Sequence, residues 1–206
     1  MLRAGLTGGI ATGKSTVAEI LRALDVPLLE ADPIGHELLE PDQEARDEIV
    51  SEFGGAVIGA DGAVDREKLG AIIFSDHEKR ARLNRILHPR ILDIAGKWFA
   101  ALDRSVEPPL AFFSAALIFE SGYNKELDRV VVCWCLPEQQ LERLKERGLS
   151  PAEARQRVAA QMPMEEKRRL ADDVIDSSGS IEETGRQVRE LVEKLSGMPG
   201  GAKKRP

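Results

Sequence analysis

Runs of residues that are apolar on both faces alternate along the chain with segments that are apolar on one face only. Leu2 to Thr7 (LRAGLT), Val26 to Ala31 (VPLLEA), Leu110 to Leu117 (LAFFSAAL), Arg129 to Leu136 (RVVVCWCL) and Asp173 to Asp176 (DVID) predict five strands. Between the first two lies STVAEILRAL, whose Val17, Ile20, Leu21 and Leu24 share one helical face. Strands without polar alternation, separated by helices, predict a parallel sheet covered on both sides, an α/β fold of three layers.

Two stretches exceed what a bare alternation needs. From Pro33 to Leu102 the pattern is largely helical, with turns in FGGAVIGADGAVD and a kink expected at His88 to Arg90 (HPR). From Pro137 to Ala171 it is helical again and strongly charged. Both read as lobes inserted between strands, which divides the chain into a core of about 1–31, 103–137 and 170–197, a lobe of about 32–102 and a second of about 138–169. Their expected place is beyond the strand ends, where open α/β sheets bind ligands. The glycine-rich, basic tail 198–206 is expected to be disordered.

Composition narrows the picture. With 206 residues, 42% of them apolar and 31% charged, the chain fits one soluble α/β domain with insertions. A net charge of −6 argues against general nucleic-acid binding. Nothing approaches the ~20 apolar residues of a membrane span. Met1 to Thr7 leads directly into the glycine loop and leaves no room for a cleaved signal peptide. The two cysteines, Cys133 and Cys135, are one residue apart in a predicted strand. That is not a zinc spacing, and two reduced core thiols in a cytoplasmic protein are expected. A monomer or weak homo-oligomer is expected.

Chemistry enters at GLTGGIATGKST, Gly5 to Thr16. Gly8 to Ser15 matches G-x-x-x-x-G-K-[ST] without a gap, after a predicted strand and at the start of a helix. Gly8 and Gly13 are expected to take backbone angles that side chains forbid, so that loop N–H groups form an anion cradle. Lys14 adds a positive charge for the outer phosphates, Ser15 offers a hydroxyl to Mg²⁺, and Thr16 is placed for an inner phosphate. Gly8, Ala11, Thr12, Gly13, Lys14, Ser15 and Thr16 are thus the candidate nucleotide contacts.

The loop alone does not name a reaction. Asp32 to Gly35 (DPIG) satisfies the D-x-x-G of a GTPase switch but comes too soon after the loop, and in NKELD Leu127 stands where the guanine-reading acid belongs. A remodelling ATPase needs more chain. A small phosphotransferase needs an acceptor pocket, a base and a water-excluding lid of arginines. Asp32, at the end of the second predicted strand, is the candidate base, with a helix N-cap ahead of Pro33 as its structural alternative. Arg143, Lys145, Arg147, Arg155, Arg157, Lys167, Arg168 and Arg169 crowd the second lobe, some as phosphate clamps and others as a solvated face.

With these features in order, the sequence resembles the dephospho-coenzyme A kinase family over nearly its whole length. The likeness rests on LTGGIATGKSTVAEIL, EADPIGHELLEP, LHPRI, LIFESG, QLERLKERGLSPAEARQRVAAQMPMEEKRRLAD and ADDVIDSSGSIEE. It implies a P-loop kinase fold in which 32–102 binds the acceptor and 138–169 is the lid. It also implies transfer of the ATP γ-phosphate, with Mg²⁺, to the ribose 3′-hydroxyl of dephospho-CoA. By the same resemblance Asp32 activates that hydroxyl, Arg143 reaches the ATP phosphates, and Asp65, Arg66 and His88 belong to the acceptor site. Ser114 replaces an acid common in the family and Ala116 a proline, so Asp32, Glu120 or water would have to anchor the metal. Ser177 replaces an asparagine near the expected adenine end. A kinase for another small hydroxyl or nucleotide acceptor and a catalytically weak nucleotide-binding relative are the alternatives.

Overall fold

In the computed structural model, residues 1–40, 44–73, 76–104 and 109–201 are described, His77 by its backbone alone. The expected disorder of 198–206 falls, for 202–206, outside the described residues. Before it, Met198 packs against the main core.

The five expected strands all form: β1 (Leu2–Gly8), β2 (Leu28–Glu30), β3 (Leu110–Ser114), β4 (Arg129–Trp134) and β5 (Asp173–Asp176). They make one parallel sheet in the order β2-β3-β1-β4-β5. Register places Leu6 beside Ser114 and Gly8 beside Cys133, so the chain leaves β1 at the carboxyl end of the two strands flanking it. The strand order reverses around β1, and such a switch point opens the crevice in which α/β sheets hold ligands.

Strand periodicity explains the two-sided burial. Leu2, Ala4 and Leu6 of β1, with Leu110, Phe112, Val131, Cys133 and Ile175, meet one helical layer. That layer is α1 (Lys14–Ala23), through Val17, Ala18 and Leu21, and α9 (Ile181–Ser196), through Val188, Leu191 and Leu195. The expected face of α1 holds, with Ile20 and Leu24 packed at its rim. Gly5 points to the opposite side, where a Cβ would lie 2.6 Å from the Leu127 side chain. Both free cysteines are buried.

The chain divides into two compact units, 1–29 with 98–206, and 30–97. The segment 137–170, with α6 (Pro137–Glu146), α7 (Pro151–Ala159) and α8 (Met164–Leu170), clusters with the sheet. Ser150 and Glu153 start α7 with a reciprocal capping box. The unit 30–97 holds α2 (Ala31–Glu37), α3 (Glu44–Phe53), α4 (Arg66–Ile73) and most of α5 (His77–Leu102). Its own core joins Leu39, Ile49, Val57, Val64, Leu69 and Leu83. The expected turn region carries Gly54 and Gly62 at positive φ and a short antiparallel bridge, Ile58 to Val64.

At HPR, where a kink is expected, α5 runs on through Pro89 as one helix. Proline there removes an N–H and crowds the preceding turn. Close by, the Arg90 guanidinium donates to the Ile86 carbonyl at 2.8 Å while pairing with Glu48 at 2.7 Å.

Candidate functional site

The loop between β1 and α1 is held by its carbonyls. Gln140 on α6 donates to the Ile10 carbonyl at 2.6 Å. One turn on, Arg143 donates to the Ala11 carbonyl at 3.2 Å, and the Ser177 hydroxyl donates to the Thr12 carbonyl at 2.8 Å. Arg143 also donates to Ser177, at 2.7 Å to its carbonyl and 3.3 Å to its hydroxyl. Three successive carbonyls thus have side-chain donors.

The N–H groups tell the complementary story. Thr12 donates back to Gly9 at 3.3 Å and Ile10 donates to Gln161 at 2.8 Å. No hydrogen bond among the described residues engages the N–H of Ala11, Gly13, Lys14, Ser15 or Thr16. The last three belong to the first turn of α1, where helical geometry leaves N–H groups without intrahelical partners and the helix dipole is positive. Five free donors at a helix start form a cradle for an anion of phosphate size.

Glycine matters here for two separate reasons. Gly13 sits at φ 87°, left-handed, as the sequence suggests. At Gly8 the reason is space instead of angle: its φ is not positive, and a Cβ would fall 2.5 Å from the Thr12 hydroxyl and 2.8 Å from the Cys133 carbonyl. The other left-handed loop position belongs to Ala11, at φ 61°. A left-handed angle costs a non-glycine residue about 1–2 kcal/mol, and the Ala11 methyl is repaid by packing with Leu144 and Ala154.

Lys14 extends to the end of β3, where its ammonium donates to the Ser114 hydroxyl at 3.2 Å. Ser114 is buried, so it serves as a resting acceptor for that ammonium. Glu120, one of the groups weighed in place of the acid, has partners of its own. Its Oε1 accepts from the Met162 N–H at 3.0 Å and pairs with Lys167 at 2.9 Å. Lys167 is wholly buried and also donates to the Ala116 carbonyl at 2.6 Å. Burial holds the Lys167 ammonium below the usual lysine range, against the opposing pull of Glu120.

The other cations of 137–170 divide clearly: Lys145, Arg147, Arg155, Arg157, Arg168 and Arg169 are exposed, while Arg143 and Lys167 turn inward. Arg168 lies over the Trp134 ring, 4.7 Å from its centroid. Ser177, which the resemblance places near the adenine end, also holds the loop through Thr12. Ser15 is exposed at the helix start, so its hydroxyl suits a magnesium ion that takes its remaining oxygens from phosphate and water. No group of three or more His, Cys, Asp or Glu side chains among the described residues could cage a metal unaided.

In the unit 30–97, Asp32 does not cap its helix. The helix starts at Ala31 with Glu30 as its N-cap, which places Asp32 in the first turn, exposed. No hydrogen bond or ion pair among the described residues engages its carboxylate. Asp65, in contrast, caps α4, accepting from the N–H groups of Glu67 at 3.0 Å and Lys68 at 3.1 Å. Those backbone bonds, led by Lys68, hold its carboxyl below the usual range. Arg66 follows it, exposed, and His88 lies within α5.

Gln140 and Gln161 were not legible as site residues. Their partners lie 130 and 151 residues away in sequence.

A parallel sheet in this strand order, with a phosphate cradle after its central strand and a lysine opening α1, defines a nucleotide-binding protein of the P-loop class. Shikimate kinase from Bacteroides thetaiotaomicron, at 15% identity and a TM-score of 0.51 over 94% of this chain and 98% of its own, shares the fold alone. The family profile of dephospho-CoA kinase matches residues 2–183. The dephospho-CoA kinase of Geobacter sulfurreducens is 46% identical over 92% of this chain and 96% of its own length. A solved structure of dephospho-CoA kinase from Campylobacter jejuni superposes with a TM-score of 0.69 at 30% identity, covering 94% and 96% of the two chains. The chain belongs to the dephospho-CoA kinase family.

Proposed function

We propose that this protein transfers the γ-phosphate of ATP to the ribose 3′-hydroxyl of dephospho-CoA, the last step of coenzyme A synthesis. The observation that carries this reading is the loop of five free N–H groups beside Lys14, in a chain of this family.

Phosphoryl transfer needs positioning and charge more than covalent help. The N–H groups of Ala11, Gly13, Lys14, Ser15 and Thr16, with the Gly8 and Thr12 backbone shaping the turn, hold the triphosphate. Lys14 exchanges the Ser114 hydroxyl for a phosphate oxygen. Ser15 supplies one oxygen to magnesium, which when bound offsets charge on the outer phosphates. Arg143 brings a cation to the loop, and reaching the moving phosphoryl group means trading a loop carbonyl for a phosphate oxygen.

Asp32, with no competing partner among the described residues, orients the acceptor hydroxyl and takes its proton. The unit 30–97 binds the acceptor, with Arg66 and His88 as contacts and Asp65 setting the start of α4. The segment 138–169 closes as a lid that excludes water. Two free buried thiols fit a reducing cytoplasm, and among the described residues no helix is long and apolar enough to cross a membrane.

The test is an assay of ATP and magnesium with dephospho-CoA, with adenosine or with no acceptor, following ADP and product mass. A single added phosphate on dephospho-CoA is the expected product. Slow ADP release without phosphorylated acceptor would move the protein to a nucleotide-binding role.

A further inference from the structure

A single loop residue has both of its polar backbone groups held by glutamines from separate parts of the segment 137–170. Gln140, on α6, gives its NH₂ to the Ile10 carbonyl, and Gln161, in the turn between α7 and α8, offers its oxygen to the Ile10 N–H. Chemistry fixes these orientations, because a carbonyl only accepts and an N–H only donates. Gln140 is 4% exposed, so water cannot replace its bond to Ile10. The neighbouring Gly9 shows how closely the parts meet: a Cβ there would lie 2.8 Å from the Met164 sulfur and 2.9 Å from the Gln140 nitrogen.

We propose that Gln140 and Gln161 are positioning residues for phosphoryl transfer, which fix the Ile10 backbone and so keep the free N–H groups of the loop aimed at one ligand. The inference rests on reading this loop as the nucleotide site. Neither glutamine touches the reacting atoms. Their effect passes through Ile10 to Ala11, whose left-handed angle turns the chain into the cradle. Because α6 and the α7–α8 turn grip the same residue, nucleotide at the loop and order in the segment 137–170 favour each other by the same factor.

The test begins with the full chain without nucleotide. Gln161→Met removes the acceptor, and exchange of the Ile10 N–H with deuterium, followed by NMR, should speed up about tenfold, the scale of one lost hydrogen bond. Gln161→Glu keeps an oxygen in place and should restore protection. At Gln140 the order reverses. Gln140→Met frees the loop, and Gln140→Glu frees it further by setting a carboxylate against a carbonyl.

The same order at both positions would mean that these side chains only fill space, which overturns the proposal. With ATP added, Gln161→Met should weaken nucleotide binding about tenfold and leave the acceptor KM unchanged. Unchanged ATP affinity would also overturn it. Gln161 is half-buried, so its two variants decide the matter if Gln140 variants do not fold. A wild-type protein that binds ATP but never phosphorylates dephospho-CoA defeats the functional reading. The exchange and affinity measurements would still judge this one.

Discussion

The phosphate loop and the start of α2 carry the two halves of the proposed chemistry, yet they are built in opposite ways. Around the loop, three consecutive carbonyls have side-chain donors and every neighbouring glycine is hemmed in. At α2 the Asp32 carboxylate is exposed and has no partner among the described residues. The lesson is one of preorganisation. A cradle for a highly charged group is assembled before the ligand arrives, whereas a base must keep its lone pairs uncommitted until it meets a proton.

The sharpest way to break this contrast is to neutralise each half in turn. Asp32→Asn should lower turnover by about a thousandfold with ATP affinity and melting temperature unchanged, since nothing in the fold leans on that carboxylate. Lys14→Ala should cost about a hundredfold or more and weaken ATP binding as well. Steady-state kinetics with a nucleotide titration separates the two. A fully active Asp32→Asn would remove the residue from the chemistry.

Gly13→Ala probes the rigid half through stability. The left-handed angle and a Cβ placed 2.7 Å from the Ser177 hydroxyl should together cost about 2–3 kcal/mol in chemical denaturation. A loss within experimental error would show that the loop is not held as tightly as its contacts imply.

Asp65 and Arg66 sharpen the comparison within the unit 30–97. Asp65→Ala removes a helix cap and should lower the melting temperature. Arg66→Ala, at an exposed position, should leave the melting temperature alone and raise the acceptor KM several-fold. Equal effects on stability would erase the distinction between the cap and the contact.

The smallest effect concerns Cys133, beside the loop strand. Burial pushes its thiol up to about 12, against the pull of the Lys14 charge. Up to pH ~9 both the folded and unfolded chains keep the proton. From there to about 12 the unfolded chain loses it while the folded chain holds it, so stability falls as pH rises. Cys133→Ala should flatten that part of the stability profile. The native thiol should also resist alkylation at pH 8, where rapid labelling would contradict its burial.

What the sequence makes legible follows from how far each signal travels along the chain. All five strands, the apolar face of α1 and the loop motif rest on residues close in sequence, and they appear where expected. The cap weighed as the structural alternative for Asp32 is not formed, because α2 begins at Ala31, ahead of the proline that suggested its start. At HPR the proline signal marks no helix end, since α5 continues through Pro89. Gln140, Gln161 and Ser177 leave no local mark, since each acts on backbone more than a hundred residues distant.

Ala11 has a consequence for which residues this turn can accept. Glycine would relax the left-handed angle but forfeit the methyl contacts with Leu144 and Ala154. A branched side chain would suffer in both respects, in a site already nearly closed to solvent. Position 11 is therefore written in a two-letter alphabet, and a library randomised there should return alanine and glycine and almost nothing else.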